Sequence, residues 1–134
     1  MIDIENELFT EIANALRNEF RCFVSNVYVR KPPSFPAIFI EEKNNAMDRT
    51  TQDSSNAENT ALVMYQVDVF SNLNSGGKAE CKKIIGFIDA IFANYDFQRS
   101  MCEPIPNLDD ATIFRMTARY NGRAGKNRLM YRTR

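Results

Sequence analysis

Apolar residues recur along this chain with two different spacings, which predict two helices and five strands. Over residues 3–20 they fall three to four positions apart, the spacing of an amphipathic helix, and residues 78–95 repeat that pattern. The β-forming segments are 23–29, 37–41, 61–71, 97–103 and 111–121. Of these, 61–71 is apolar on both of its alternating faces, which predicts a central strand.

The predicted order is therefore α-β-β-β-α-β-β. Two helices with one apolar stripe each need a sheet face to cover, which favours an α+β two-layer sandwich with both helices on one face of a largely antiparallel or mixed sheet. The 134 residues are enough for one domain, 1–134. Outside its core we expect a mobile polar arm at 43–60, joining two adjacent strands, and a basic C-terminal tail at 122–134.

The composition argues against an enzyme. The chain has no histidine, which excludes the serine–histidine and cysteine–histidine pairs and histidine-bound metals. Its three cysteines form no CxxC pair and are expected to pack as small apolar groups. We expect no catalytic residue, no metal and no cofactor.

Two patterns that resemble chemical motifs do not hold. Residues 72–78 lie between a strand and a helix, where a phosphate-binding loop would stand, but Asn72 occupies its first glycine position and Ala79 its magnesium-binding hydroxyl position. The carboxylates of Glu41 and Glu42 are neighbours on a strand and point to opposite faces, so they cannot share a substrate. Asp109-Asp110 follows a Pro-Asn turn, where aspartate is common.

The net charge of zero conceals a strong asymmetry. Seven of the 17 basic residues follow Asp110 but none of the 17 acidic residues does, so residues 1–110 carry −7 and the last 24 residues +7. A chain polarised in this way favours head-to-tail self-association or an acidic partner. No apolar run reaches the roughly 18 residues of a membrane span, and the first residues are acidic, so we expect a soluble, cytoplasmically made protein without a membrane partner.

The basic residues are the candidate contact residues. On the last strand Ile113, Arg115, Thr117 and Arg119 share one face, opposite the core face of Phe114, Met116, Ala118 and Tyr120, and the two guanidinium groups lie about 13 Å apart. This basic end is either a solvated tail or a surface for an acidic protein or a nucleic acid. The candidate interface residues are Arg115, Arg119, Arg123, Lys126, Arg128, Arg132 and Arg134, with Asp48 and Arg49 from the arm.

A family resemblance enters at the central strand. The stretch Tyr65-Gln66-Val67-Asp68-Val69-Phe70-Ser71, with Gly76-Gly77 and the helix 82–95, resembles the tail terminator (tail completion) proteins of long-tailed bacteriophages. The likeness continues through Phe97-Gln98-Arg99, Pro106-Asn107, Asp110, Thr112, Phe114-Arg115 and Arg119-Tyr120. It covers residues 61–121 together with the α-β-β opening and the length of the chain.

The resemblance implies a virion structural protein with an α+β fold that assembles as a homo-oligomeric, usually hexameric ring. Such a ring caps the tail tube, stops its polymerisation and joins it to the head-side connector protein, and phage-tail-like bacteriocins use related caps. The expected location is the head-proximal end of the tail, after assembly in the host cytoplasm. Arginines facing the lumen of a ring would contact passing DNA weakly and without sequence preference.

Two other functions fit the same residues. A small nucleic-acid-binding protein would use the basic C-terminus, with Tyr120 and Tyr131 stacking on nucleic-acid bases, although two tyrosines are few for such a platform. A head–tail connector or neck protein of the same assembly is barely distinguishable from a terminator by sequence.

Overall fold

The computed structural model describes residues 1–48, 60–107 and 110–125, and it has the predicted α+β architecture. The elements are α1 (Glu5–Glu19), β1 (Phe23–Ser25), β2 (Ala37–Met47), β3 (Thr60–Ser71), α2 (Gly77–Asn94), β4 (Gln98–Ile105) and β5 (Phe114–Gly125). They form one sheet in the order β1-β2-β3-β5-β4, with β3 at its centre as predicted. The β1–β2 pair is parallel and the other pairs are antiparallel, so the sheet is mixed.

Both helices cover the same face of the sheet, which we call the inner face. Their apolar stripes are buried there: Leu8, Ile12 and Leu16 from α1, and Ile84, Ile88 and Phe92 from α2. The Phe92 ring stacks on Tyr120 of β5 with 4.2 Å between the ring centroids. Within the described residues, neither helix is long and apolar enough to cross a membrane.

The segment that joins β1 to β2 covers part of the opposite, outer face. Parallel strands need a crossover connection, and this one lays Tyr28, Val29 and Phe35 over Phe39 and Phe70. The prediction of a strand over 23–29 was therefore too long. The chain leaves the sheet after Ser25, because Tyr28 and Val29 pack on its outer face.

Two predicted boundaries are wrong by several residues. The strand β2 continues through Lys43 to Met47, paired with β3 as far as Ala61, so the start of the predicted arm belongs to the sheet. The strand β5 likewise takes residues 122–125 from the predicted tail. The remainder of the arm, 49–59, and of the tail, 126–134, lies outside the described residues.

Both edges of the sheet are irregular. On β4 a register shift between Arg99 and Met101 breaks the ladder, and Pro104 removes one backbone donor. On β2, beyond its short pairing with β1, the backbone N–H of Glu42 donates to the Glu5 carboxylate over 2.9 Å. These features blunt the edges against pairing with another strand.

Candidate functional site

The outer face of β5 carries the arginines that the sequence singled out. Arg115, Thr117 and Arg119 lie opposite Phe70, Asp68 and Gln66 of β3. Their neighbours Met116, Ala118 and Tyr120 are buried under the helices. The predicted division of this strand into a polar face and a core face is therefore confirmed.

Asp68 organises this face. Its carboxylate is buried, with 5% of the side chain exposed, and it accepts hydrogen bonds from Nε and Nη2 of Arg115 over 3.2 and 3.0 Å. The hydroxyl of Thr117 donates to the same oxygen, and Nε2 of Gln66 donates to the other oxygen over 3.1 Å. A buried charge is stable only when it is paired and hydrogen-bonded, and here both conditions are met.

Arg115 is consequently fixed in position. Besides its two bonds to Asp68, its guanidinium group lies over the Phe70 ring, 5.3 Å from the centroid. Only 29% of the side chain is exposed. Arg115 therefore stabilises the sheet and offers little of its charge to a partner.

The next two arginines along β5 are more available. Arg119 is exposed, and its Nε donates to the neutral amide oxygen of Gln66 over 3.1 Å. The side chain of Arg123 is 59% exposed, with Nη1 4.0 Å from the nearly buried carboxylate of Asp48. The structure thus brings Asp48 and Arg123 together, although the sequence predicted them in separate mobile segments.

Apolar side chains lie between these arginines on the part of the outer face that the crossover leaves uncovered. Leu62 on β3 is 40% exposed and pairs directly with Arg123. Met64, also on β3, and Met101, which pairs with Arg119 from β4, are half-buried. Arginine beside exposed aliphatic side chains is typical of protein–protein interfaces. We call the surface formed by Leu62, Met64, Met101, Arg119 and Arg123 the sheet patch.

At the other end of the outer face the crossover encloses a cavity of about 360 Å³. Its walls include the aromatic rings of Tyr28, Phe35, Phe39 and Phe70, and Lys31 and Asp110 are among its polar lining residues. Asp110 bonds the hydroxyl and the backbone N–H of Thr112, which lowers the pKa of its carboxyl group.

Three carboxylates meet where α1 begins beside β2. Asp3, Glu5 and Glu42 lie close enough for their oxygens to share a cation. Hydrogen bonds within the chain already engage them: Asp3 accepts from the Glu5 N–H, Glu5 from the Glu42 N–H, and Glu42 from the Tyr65 hydroxyl. Burial, followed by the nearby Glu5 and Asp3 charges, raises the pKa of Glu42, whereas the bond from Tyr65 lowers it.

Five of the predicted interface residues, Arg49, Lys126, Arg128, Arg132 and Arg134, lie outside the described residues. Two further expectations need correction. Tyr120 is 1% exposed and stacked on Phe92, so it cannot stack on a nucleic-acid base. Cys102 is exposed on β4, whereas Cys81 is buried as an apolar group should be.

The role of Asp68 was missed at the sequence level. Its signal was present: a single acid in the apolar strand 61–71, two positions from Gln66. Sequence alone could not pair it with Arg115, because that requires the register between strands 47 residues apart.

No protein-family model matches this chain, and no curated protein matches it.

Proposed function

We propose that this protein is a non-enzymatic tail terminator. In this proposal copies of the chain form a ring that caps a phage tail tube, stops its polymerisation and joins it to the head-side connector. The observation that carries the proposal is the sheet patch, where two exposed arginines stand beside exposed and half-buried aliphatic side chains that neither helix covers. Such a surface suits contact between proteins.

The fold supports this proposal. The α+β order that the family resemblance implies is present, and the segment that carries the resemblance, 61–121, runs through β3, α2, β4 and most of β5. These elements pack together, since α2 lies on β3 and β5. The resembling residues therefore belong to one structural unit.

The site chemistry supports a structural role. The buried carboxylate of Asp68 is engaged by Arg115, Thr117 and Gln66, so its charge holds strands together. The hydroxyl groups of Tyr65 and Tyr120 are buried, which raises their pKa values further above the ordinary value of 10. Tyrosine hydroxyl groups with raised pKa values do not exchange protons with a substrate near neutral pH.

The test is to delete the gene from the phage or prophage that carries it and to measure tail tubes by negative-stain electron microscopy. We expect overlong tubes of variable length without attached heads, and restoration by the wild-type gene. Purified protein labelled with gold should bind one end of isolated tubes. Tubes of normal, uniform length in the deletion strain would contradict the proposal.

A further inference from the structure

The acidic half of α1 is the natural counterpart of the sheet patch. Asp3 precedes α1, and Glu7 and Glu11 lie in its first half; all three residues are exposed, and the Glu11 carboxylate also accepts a hydrogen bond from the Tyr95 hydroxyl. Glu7 and Glu11 are about 6 Å apart along a helix that rises 1.5 Å per residue. Arg119 and Arg123 are separated by about 13 Å on an extended strand. The two arginines and these carboxylates are opposite in charge, as a contact between the two surfaces requires.

We infer that the sheet patch of one copy docks against the Asp3, Glu7 and Glu11 side of α1 in a second copy, an inference that deepens the ring assembly proposed above. The two surfaces lie on opposite layers of the sandwich, one on the sheet and one on the helices. A contact between different surfaces is heterologous, and it closes into a ring when its rotation allows.

Charge also selects which helix is docked. Apart from the half-buried Glu80, the first two turns of α2 carry the exposed cations Lys78, Lys82 and Lys83, which would repel Arg119. The C-terminal part of α1 carries Arg17 and is followed by Arg21. The first half of α1 carries Glu7 and Glu11 and no base, whereas the second half of α2 carries one acid, Asp89, which is already paired with Arg99, so docking on α1 is favoured.

The aliphatic groups of the patch favour a protein partner over a nucleic acid. Leu62 and Met64 lie beside the arginines and would have to be desolvated against phosphates. Against a helix they can pack on side-chain stems such as those of Glu7 and Thr10, while the guanidinium groups pair at the rim.

The experiment uses reciprocal charge reversal, measured by sedimentation velocity of the full chain over a range of concentrations. Arg119→Glu places negative charge opposite α1, and Glu7→Lys places positive charge opposite the patch. Each variant alone is expected to weaken self-association about tenfold or more. A 1:1 mixture of the two, or both changes in one chain, should restore it, because every junction then pairs opposite charges.

Matched controls separate this effect from a change in net charge. Lys83→Glu makes the same charge change on α2, and Glu19→Lys makes it at the far end of α1. Both should associate like the wild type. Association of the wild type should also weaken as salt rises, since the paired charges are screened. Thermal unfolding of each variant shows whether it is folded.

Several results would overturn the inference. It would be contradicted if Arg119→Glu or Glu7→Lys associated as strongly as the wild type, or if the mixture of the two did not recover association. It would also be contradicted if the wild type stayed monomeric at every concentration. Loss of duplex-DNA binding in Arg119→Glu with self-association unchanged would assign the patch to nucleic acid. The proposed function is judged separately by tube length: an Arg119→Glu gene that restores normal tubes in the deletion strain leaves it standing.

Discussion

The carboxylate of Asp68 and the guanidinium group of Arg115 form a two-point ion pair on the outer face of the sheet, with Nε and Nη2 3.2 and 3.0 Å from one oxygen. The pair joins the central strand β3 to β5 at a position where the Asp68 side chain is 5% exposed. Removal of this pair should therefore lower the stability of the fold.

Asp68→Asn is therefore expected to lower the free energy of unfolding by about 2 kcal/mol, because hydrogen bonds to a charged group are lost and Arg115 keeps an unpaired charge. Urea unfolding followed by circular dichroism measures the change. Glu103→Gln is the matched control, since Glu103 lies in the same cross-strand row but is exposed on β4. An equal loss of unfolding free energy in the two variants would show that the Asp68–Arg115 pair does not stabilise the fold.

Replacing Gly122 and Gly86 by alanine should change the stability of the fold in opposite directions. A Cβ on Gly122 would stand 2.5 Å from the Phe97 ring, so Gly122→Ala forces that buried ring to move and should cost about 1–3 kcal/mol. A Cβ on Gly86 would meet nothing, and alanine there favours the helix by about 0.5–1 kcal/mol. The melting temperature should fall for the first variant and rise for the second. A neutral Gly122→Ala would contradict the close packing of β5 on Phe97.

The three thiols should differ in reactivity. Burial, with a smaller contribution from Glu80, raises the pKa of Cys81 to about 12, and burial also raises the pKa of Cys22 despite the nearby Arg17. At pH 8 an alkylating reagent should therefore label the exposed Cys102 first and Cys81 last. Peptide mass spectrometry gives the order, and labelling in urea is the control, where all three rates should converge. Early labelling of Cys81 in the folded protein would show that α2 opens readily.

Glu42 should make stability depend on pH. Its native pKa is raised, so the folded chain binds this proton more tightly than the unfolded chain does. The stabilisation is present below the ordinary pKa of 4.5 and is lost as pH rises through the raised native value. Glu42→Gln should therefore be more stable than the wild type at pH 7, by about 1 kcal/mol or less for a group this exposed, and the difference should vanish near pH 4.

The control for this experiment is Glu41→Gln, on the opposite face of the same strand. There the Glu41 carboxylate lies 3.6 Å from Nζ of Lys43, so removing it should give no gain at pH 7. Denaturant unfolding at a series of pH values provides both curves. A Glu42→Gln curve that ran parallel to the wild type would count against a raised pKa in the folded state.

The sequence predicted the architecture well because the fold follows from apolar periodicity. The stripes of Leu8, Ile12 and Leu16 and the doubly apolar strand 61–71 placed the helices and the central strand correctly. Prediction failed where tertiary pairing overrides composition. Lys43, Asn44 and Asn45 have no strand-like pattern, yet pairing with β3 keeps this part of β2 extended.

The candidate site was predicted only in part for a related reason. Alternation along one strand is enough to put Arg115 and Arg119 on a common face. Their partners Asp68 and Gln66 come from β3, and the Asp48 beside Arg123 comes from β2, so they depend on registers between distant segments. One-dimensional patterns do not contain that information, and they therefore could not separate the engaged Arg115 from the accessible Arg119.

The irregular edges of the sheet should protect this protein from aggregation at high concentration. Wherever many identical chains gather, a flat open strand would seed amyloid-like stacking. Three features oppose such stacking: the register shift between Arg99 and Met101, the missing backbone donor at Pro104, and the bond from the β2 backbone to the Glu5 carboxylate. Repairing them, for example by Pro104→Thr together with Glu5→Ala, should shorten the time the concentrated protein stays clear of fibrils, measured by thioflavin fluorescence.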